Sequence, residues 1–357
     1  MIEVRHLKLV DAVARLGSLK RAAEELCLTQ SALSHQLKEL EIKLGTPVFY
    51  RIKNQLHFNP AGKEFRDSGK EILEQLEQLE DRVQQINQDQ LKKYVHGYSD
   101  EEMKRLNDQA MTIADLLHWD SVWGDGSLIL EAGCGVGAQT KIIAEKNPGS
   151  RFISVDLSEK SLSEARKTID ESSIDNVEFQ QADVFNLPFE DASFNHVFVC
   201  FVLEHLTDPE SALKEFKRVL KKEGTITLIE GDHGSTYFHP DSEAARKAVQ
   251  AQVTLQKQNG GNANIGRTLY PMLEESGFGD IKVNPRQVYV DHSKPALVDG
   301  FIKQTFTAMI KGIMDEAISK KIISKAEMEN GLKGLHKTTE SGGTFCYTFF
   351  KAIGVLK

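Results

Sequence analysis

Apolar residues recur at helical spacing through the first 60 positions. Leu7, Val10, Val13 and Ala14 share one face of a predicted helix that Gly17 ends. Ser18 stands as an N-cap before LKRAAEEL, whose Ala22, Ala23 and Leu26 form a small-residue face. Thr29 caps a third predicted helix, QSALSHQLKELEIKL, stopped by Gly45. On it Ala32, Leu33, Leu37, Leu40 and Leu44 face inwards, and Gln30, Ser31, Ser34, His35 and Lys38 face outwards. Two short apolar pieces, PVFYR and LHF, flank Lys53-Asn54-Gln55 and predict a small hairpin. From Pro60 to Gln88 the apolar residues Phe65, Ile72, Leu76, Leu79, Val83 and Ile86, with Gly69, step alternately by four and three. Such a heptad seam predicts pairing with a second copy of the helix; the alternative is a helix lying on its own domain.

The period changes after residue 127. Apolar runs LILEAG, FISVDL, VEFQQAD, FNHVFVCF and TITLIEG alternate with amphipathic helical patterns, as in a doubly wound parallel sheet. A sixth run, IKVNPRQVYV, interrupts a mainly helical span, and TFCYTFFKAIGVL closes the chain as a strand. The predicted fold class is α/β. An all-helical winged helix-turn-helix domain with its hairpin (1–60) and a long linker helix (61–89) precede a Rossmann-like seven-stranded domain (90–357) with a helical insertion (233–340).

At 357 residues, 40% hydrophobic and 27% charged, the chain has room for two globular cores. No apolar run reaches membrane-spanning length, and MIEVRHLKLV lacks the core of a signal peptide. Cys27, Cys134, Cys200 and Cys346 are dispersed and form no CxxC pair, which points away from zinc and disulfides and towards a reducing cytoplasm. No metal is expected. Residues 1–60 hold nine Lys and Arg against six Asp and Glu, so of the total charge of −8 the remainder carries −11. A basic cap on an acidic body suits a chain whose N-terminus alone meets a polyanion.

Helix, tight turn, helix and hairpin is the order of a DNA-reading module whose second helix enters the major groove. Gln30 can pair with adenine, Ser31 and Ser34 donate or accept, His35 lies on the same face, and Lys38 reaches guanine or phosphate. Arg51 and Lys53 at the hairpin are candidates for neutralising phosphates. The stretch HLKLVDAVARLGSLKRAAEELCLTQSALSHQLKELEIKLGTPVFYR, followed by LHFNPAGKEF, closely resembles the DNA-binding module of LysR-type transcriptional regulators over residues 1–88. The resemblance implies double-stranded DNA as a partner and a homodimer formed through the linker helix. Asn59 stands where that family usually has Thr, and nothing after the linker resembles its effector domain.

Strand LILEAG runs into Gly133-Cys134-Gly135-Val136-Gly137, a bend whose glycines admit a ligand close to the backbone. The pattern also satisfies the dinucleotide fingerprint, and either ligand wants an acid at the next strand end, here Asp156. Glu131 before the bend suits an ammonium rather than a pyrophosphate, and Asp183 ends the following strand. EAGCGVG, VDLS, QADVFNLPF, FVLEHL and RVLKKEG, in that order, resemble class I S-adenosylmethionine-dependent methyltransferases, especially the type that includes quinone C-methyltransferases. The resemblance implies S-adenosylmethionine as cofactor. Glu131, Gly133, Gly135 and Gly137 would surround its methionine end, with Asp156 and Leu157 at the ribose, Asp183 and Val184 at the adenine, and Phe201 beside the sulfonium. That family's K-P-G-G turn appears here as Lys222-Glu223-Gly224 with one glycine lost. YVHGYSDEEMKRLNDQA resembles a lid, making Tyr98, Arg105 and Gln109 candidates for the cofactor carboxylate.

A general base is needed only if the acceptor loses a proton during transfer. His233, just beyond strand IEGD, is the best placed; Tyr237, His239, Arg267 and His96 are weaker candidates, each with packing as the alternative. Phe301, Phe306, Met309, Ile310, Ile313 and Met314 are candidates to shape an apolar cavity, again with core packing as the alternative. The expected function is a DNA-binding regulator fused to a methyltransferase acting on a small molecule. The alternatives are a regulator that only senses the cofactor or its product, and a metabolic methyltransferase whose N-terminus merely dimerises it.

Overall fold

The structure is a computed structural model that describes residues 2–52, 55–92 and 100–357, with the side chains of 51–55, 77, 80–104 and 106–108 outside that description. The chain forms two compact units, Met1–Gln90 and Leu91–Lys357.

In the first unit, helices α1 (Val4–Leu16), α2 (Leu19–Glu25) and α3 (Gln30–Leu44) precede an antiparallel hairpin, β1 (Phe49–Ile52) and β2 (Gln55–Phe58). The unit is therefore helical apart from that wing. Gly17 and Gly45 end α1 and α3 in the left-handed region, at φ +64° and +70°. Thr29 caps α3 through its hydroxyl, which accepts from the Ala32 N–H at 3.1 Å. Ser18 holds the N-cap position of α2, but its hydroxyl makes no capping bond. Leu9, Val10, Val13, Ala22, Ala23, Leu33, Leu37 and Leu40 form one core with Val48 and Phe49. Lys43 of α3 ties α1 by bonding Glu3 at 2.9 Å and its own neighbour Glu39 at 2.7 Å. With His6 these carboxylates have the donor types of a metal site, but the ammonium of Lys43 already holds the place.

Helix α4 spans Pro60–Lys92. Asn59 caps α4: its Oδ1 accepts from Gly62 N at 2.7 Å and its Nδ2 donates to Pro47 O at 2.6 Å. The heptad seam divides. Phe65 packs on the core and Gly69 is buried against Leu7, whereas Ile72 and Leu79 stay 46% and 49% exposed. The side chains of Val83 and Ile86 lie outside the described residues.

The second unit opens with α5 (Asp100–His118) and alternates strands with helices: β3 (Leu128–Ala132), α6 (Ala138–Lys146), β4 (Arg151–Asp156), α7 (Glu159–Asp170), β5 (Val177–Gln181), β6 (Phe194–Cys200), α8 (Pro209–Val219) and β7 (Leu220–His239). After α9 (Glu243–Gln258) and α10 (Leu269–Glu275) come β8 (Gly279–Asp291) and finally β9 (Thr344–Val355). The seven strands lie in the order β5-β4-β3-β6-β7-β9-β8, parallel from β5 to β7 and antiparallel at β9 and β8. Alternate residues feed two cores, one on each sheet face: Ile129 and Phe198 into one, Leu130, Val197 and Val199 into the other. The span 233–340 is not purely helical, since it supplies edge strand β8 and the end of β7. Its Val298–Thr307 winds as a π-helix. Strand β7 starts before the TITLIEG run and outlasts it because β9 pairs with it as far as His239.

Candidate functional site

The chain reverses its direction of winding between β3 and β6, so the crevice at the carboxyl ends of these strands is the natural ligand position in such a sheet. Glu131 sits there, 2% exposed, opposite Ser154 of β4 in register and accepting its hydroxyl at 2.7 Å. The bend that follows is clipped to β4, as Gly133 N and Cys134 N both donate to Val155 O at 2.8 and 2.9 Å. Gly133 has φ +76°, and a Cβ there would lie 2.4 Å from Val202. Gly135, at φ +52°, has nothing within 4 Å of where its Cβ would stand, so open space borders the backbone here. Asp156 ends β4 with one carboxylate oxygen taking Gly135 N and the other Ser158 N, each at 2.9 Å. Burial pushes the Glu131 carboxyl up to about 7, against the lowering effect of the Ser154 hydroxyl. Burial also raises Asp156, opposed by the Ser158 and Gly135 N–H groups. Asp183, half-buried beyond β5, accepts from Phe185 N at 2.9 Å, and Val184 packs on the neighbouring core. Leu157 O accepts from Gln181 Nε2 at 2.8 Å.

A cavity of about 70 Å³ lies in the same unit. Its apolar wall is Phe201, Phe301, Phe306, Met309 and Phe349; its polar groups are Arg105, Gln109, Glu204, His205, His233, Thr305 and Tyr347. Phe201 follows β6 in the left-handed region at φ +58°, a strained conformation that turns the chain into the Leu203–His205 turn. His233 is 5% exposed, and burial lowers its pKa. Its Nδ1 lies 3.1 Å from Ala263 O and 3.0 Å from the Tyr347 hydroxyl, and its Nε2 3.3 Å from Met309 Sδ. The Ala263 carbonyl is a stronger acceptor than the Met309 thioether, which favours the neutral tautomer with the proton on Nδ1 and the Nε2 lone pair towards the sulfur.

Arg105 donates to Gln109 at 2.8 Å, and both line the cavity; Tyr98 and His96 lie outside the described residues. Of the other proposed bases, Tyr237 is 69% exposed, His239 is exposed, and Arg267 is held by Asp232 at 2.6 and 2.9 Å. Phe301, Phe306 and Met309 reach the cavity, whereas Ile310, Ile313 and Met314 pack in the core. On α3 Gln30, Ser31, Ser34, His35 and Lys38 are exposed, opposite buried Leu33, Leu37 and Leu40; Ala32 and Leu44 are half-buried. Lys53 and the side chain of Arg51 lie outside the described residues. Sequence reasoning did not single out Glu204, His205, Thr305, Tyr347 or Phe349. The first two stand inside the FVLEHL motif, a signal that was available, while the others come from helices and strands remote in sequence.

Residues 4–63 match the family described as bacterial regulatory helix-turn-helix protein, lysR family, and residues 130–228 match the methyltransferase domain family. Over 78 residues the chain is 45% identical to the HTH-type transcriptional regulator MetR of Escherichia coli (strain K12), a match to 22% of this chain and 25% of that one. Over 109 residues it is 37% identical to the demethylmenaquinone methyltransferase of Lactococcus lactis, covering 30% and 43% of the two chains. Among solved structures, the YcgJ protein of Bacillus subtilis aligns with a TM-score of 0.47 at 16% identity, over 69% of this chain and 98% of that one. The chain spans about half the length of curated relatives it matches, 56% of one and 52% of another. The chain thus joins a segment that matches the lysR-family helix-turn-helix model, at residues 4–63, to one that matches the methyltransferase domain model, at residues 130–228.

Proposed function

We propose that the Leu91–Lys357 unit transfers a methyl group from S-adenosylmethionine to a small organic acceptor, and that residues 1–88 bind double-stranded DNA as a homodimer. In this reading residues 1–60 contact DNA, 61–89 pair two copies, and 233–340 cover the acceptor; both activities belong to the cytoplasm. The observation that carries the enzymatic half is the pair of carboxylates, Glu131 and Asp156, flanking a bend with open space at Gly135. Acceptor-only groups there suit a ligand that offers an ammonium and ribose hydroxyls, so the residues present fit the cofactor.

Glu131 with Gly133, Gly135 and Gly137 would hold the methionine end, and Arg105, Gln109 and Tyr98 its carboxylate. Asp156 and Leu157 would hold the ribose, Asp183 and Val184 the adenine, and Phe201 would shield the sulfonium. When bound, the cofactor supplies a methyl carbon already activated by positive sulfur. The protein's part is then placement, which is worth several orders of magnitude for such a displacement, together with proton removal by His233 Nε2 where the acceptor needs it. Gln30, Ser31, Ser34, His35, Lys38, Arg51 and Lys53 would face DNA.

Calorimetry of the full chain with S-adenosylhomocysteine tests the cofactor site. Binding should weaken at least roughly tenfold in Asp156→Asn, because a charged hydrogen bond to the ribose is lost; a wild type without affinity sinks the reading. Tritiated methyl transfer into metabolite pools tests turnover. Tight cofactor binding with no transfer would leave a sensor in place of an enzyme.

A further inference from the structure

We propose that the acceptor is a small organic amine with an apolar body, held as its ammonium between the Glu204 carboxylate and an aromatic wall, with His233 Nε2 taking its proton. This rests on the methyl-transfer reading above.

The wall is continuous. Ring centroids lie 5.3 Å apart for Phe201 and Phe349, 6.1 Å for Phe349 and Phe301, 6.0 Å for Phe301 and Tyr347, and 5.7 Å for Tyr347 and Phe306. Such rings bury an apolar body and turn negative faces towards a cation.

Glu204 is fixed from its backbone: its carbonyl accepts from Gln256 Nε2 at 2.9 Å and from Asn262 N at 2.8 Å. Its carboxylate, in a residue 8% exposed, meets the neutral Gln256 amide at 3.3 Å and His205 Nε2 at 3.6 Å. Burial raises its pKa, with His233, Gln256 and Arg105 acting in the opposite direction. Nearby, Glu230 accepts from Val202 N at 3.0 Å and Leu203 N at 2.7 Å through one oxygen, and the Glu204 backbone N–H also favours its charged form. Burial and the nearby Glu204 charge push Glu230 further above its ordinary value than burial pushes Glu204, so Glu204 is the more readily ionised of the two.

A ligand group near Glu204 and His233 therefore meets two acceptors, a carboxylate and a ring nitrogen that otherwise faces only the weakly polar Met309 sulfur. An ammonium satisfies both, whereas a carboxylic acid or phenol that develops negative charge is repelled. Arg105, a cation among the described lining residues, donates to Gln109 and also favours the charged form of Glu204; in the proposed function it holds the cofactor carboxylate. The ammonium yields one proton to His233 Nε2. The freed nitrogen pair then forms the N–C bond as the C–S pair stays with sulfur, leaving an N-methylammonium, a thioether and an imidazolium that returns its proton to solvent.

The test is calorimetry on the full chain, with and without S-adenosylhomocysteine, using phenethylamine, phenethyl alcohol and phenylacetate. The amine should bind roughly tenfold or more tightly than either isostere. Glu204→Gln should abolish that preference while S-adenosylhomocysteine binds as before, which also certifies the fold. Phe306→Leu, a second variant, should weaken the amine more than the alcohol. Alcohol or carboxylate bound as well as the amine, an amine indifferent to Glu204→Gln, or no probe bound at all overturns the proposal. Loss of S-adenosylhomocysteine binding alone would instead strike the cofactor reading, with the amine titration of the unliganded protein still deciding the role of Glu204.

Discussion

Glu131 shows how a single buried carboxyl would couple the proposed cofactor to pH. Its ordinary value of 4.5 rises to about 7 in the folded chain, so the native state holds its proton more tightly than the unfolded one. The associated stability is whole below pH 4.5 and is lost as pH climbs through 7, a change of roughly 3 kcal/mol at most. Urea unfolding between pH 5 and 8 should show the wild type losing stability relative to Glu131→Gln; parallel curves would refute the shift. A bound ammonium reverses the preference, so S-adenosylhomocysteine binding near pH 6 should release close to one proton, read from calorimetry in buffers of different ionisation enthalpy. Glu223 makes a separate case. It occupies the lost glycine of the K-P-G-G turn and sits at φ +64°, where a side chain costs about 1 kcal/mol. Glu223→Gly should leave the melting temperature within about a degree of the wild type, because the added chain entropy of glycine offsets most of that relief. Glu131 and Asp156 were legible in the sequence because each is adjacent to the backbone it serves, a glycine bend and a strand end. Glu204, His233 and Tyr347 meet only after β6, β7 and β9 have paired, so local pattern named one of the three.

At the scale of elements, capping and period carried the reading furthest where one helix end or one strand face decided the outcome. Thr29, predicted as a cap, bonds Ala32 N as expected, and Thr29→Ala should cost the helix-turn-helix unit about 1 kcal/mol in thermal unfolding. Ser18→Ala should cost much less, because the Ser18 hydroxyl makes no such bond. The pattern was less informative where tertiary pairing sets the limits. TITLIEG marks only the middle of β7, whose ends are fixed by β9, and Val298–Thr307 looks like any helix until its π winding is seen. That winding is invisible to a search at 3.6 residues per turn, yet it delivers Phe301, Thr305 and Phe306 to the cavity.

At the scale of the whole chain, charge and exposed apolar surface divide the labour. An acidic remainder of −11 against +3 in residues 1–60 fits the proposal that a polyanion meets the N-terminal module and that the methyl acceptor is not a nucleic acid. Within that module Lys38 should act through phosphate or guanine, so Lys38→Ala should weaken binding and, for a phosphate contact, flatten the salt dependence by about one unit of slope. In the proposed dimer, the exposed half of the α4 seam would decide how many modules meet the DNA. Ile72 and Leu79, about half exposed in the single chain, would be covered by the same residues of a second copy. Placing a charge at each, as in the double variant Ile72→Asp with Leu79→Asp, puts like charges face to face in the paired helix but leaves the core that holds Phe65 intact. Sedimentation should find a dimer turned into a monomer, with S-adenosylhomocysteine affinity unchanged. DNA binding should fall steeply, because a lone module keeps only half of the phosphate contacts. A variant that remains dimeric would place the seam outside the interface and leave α4 as a strut of its own domain.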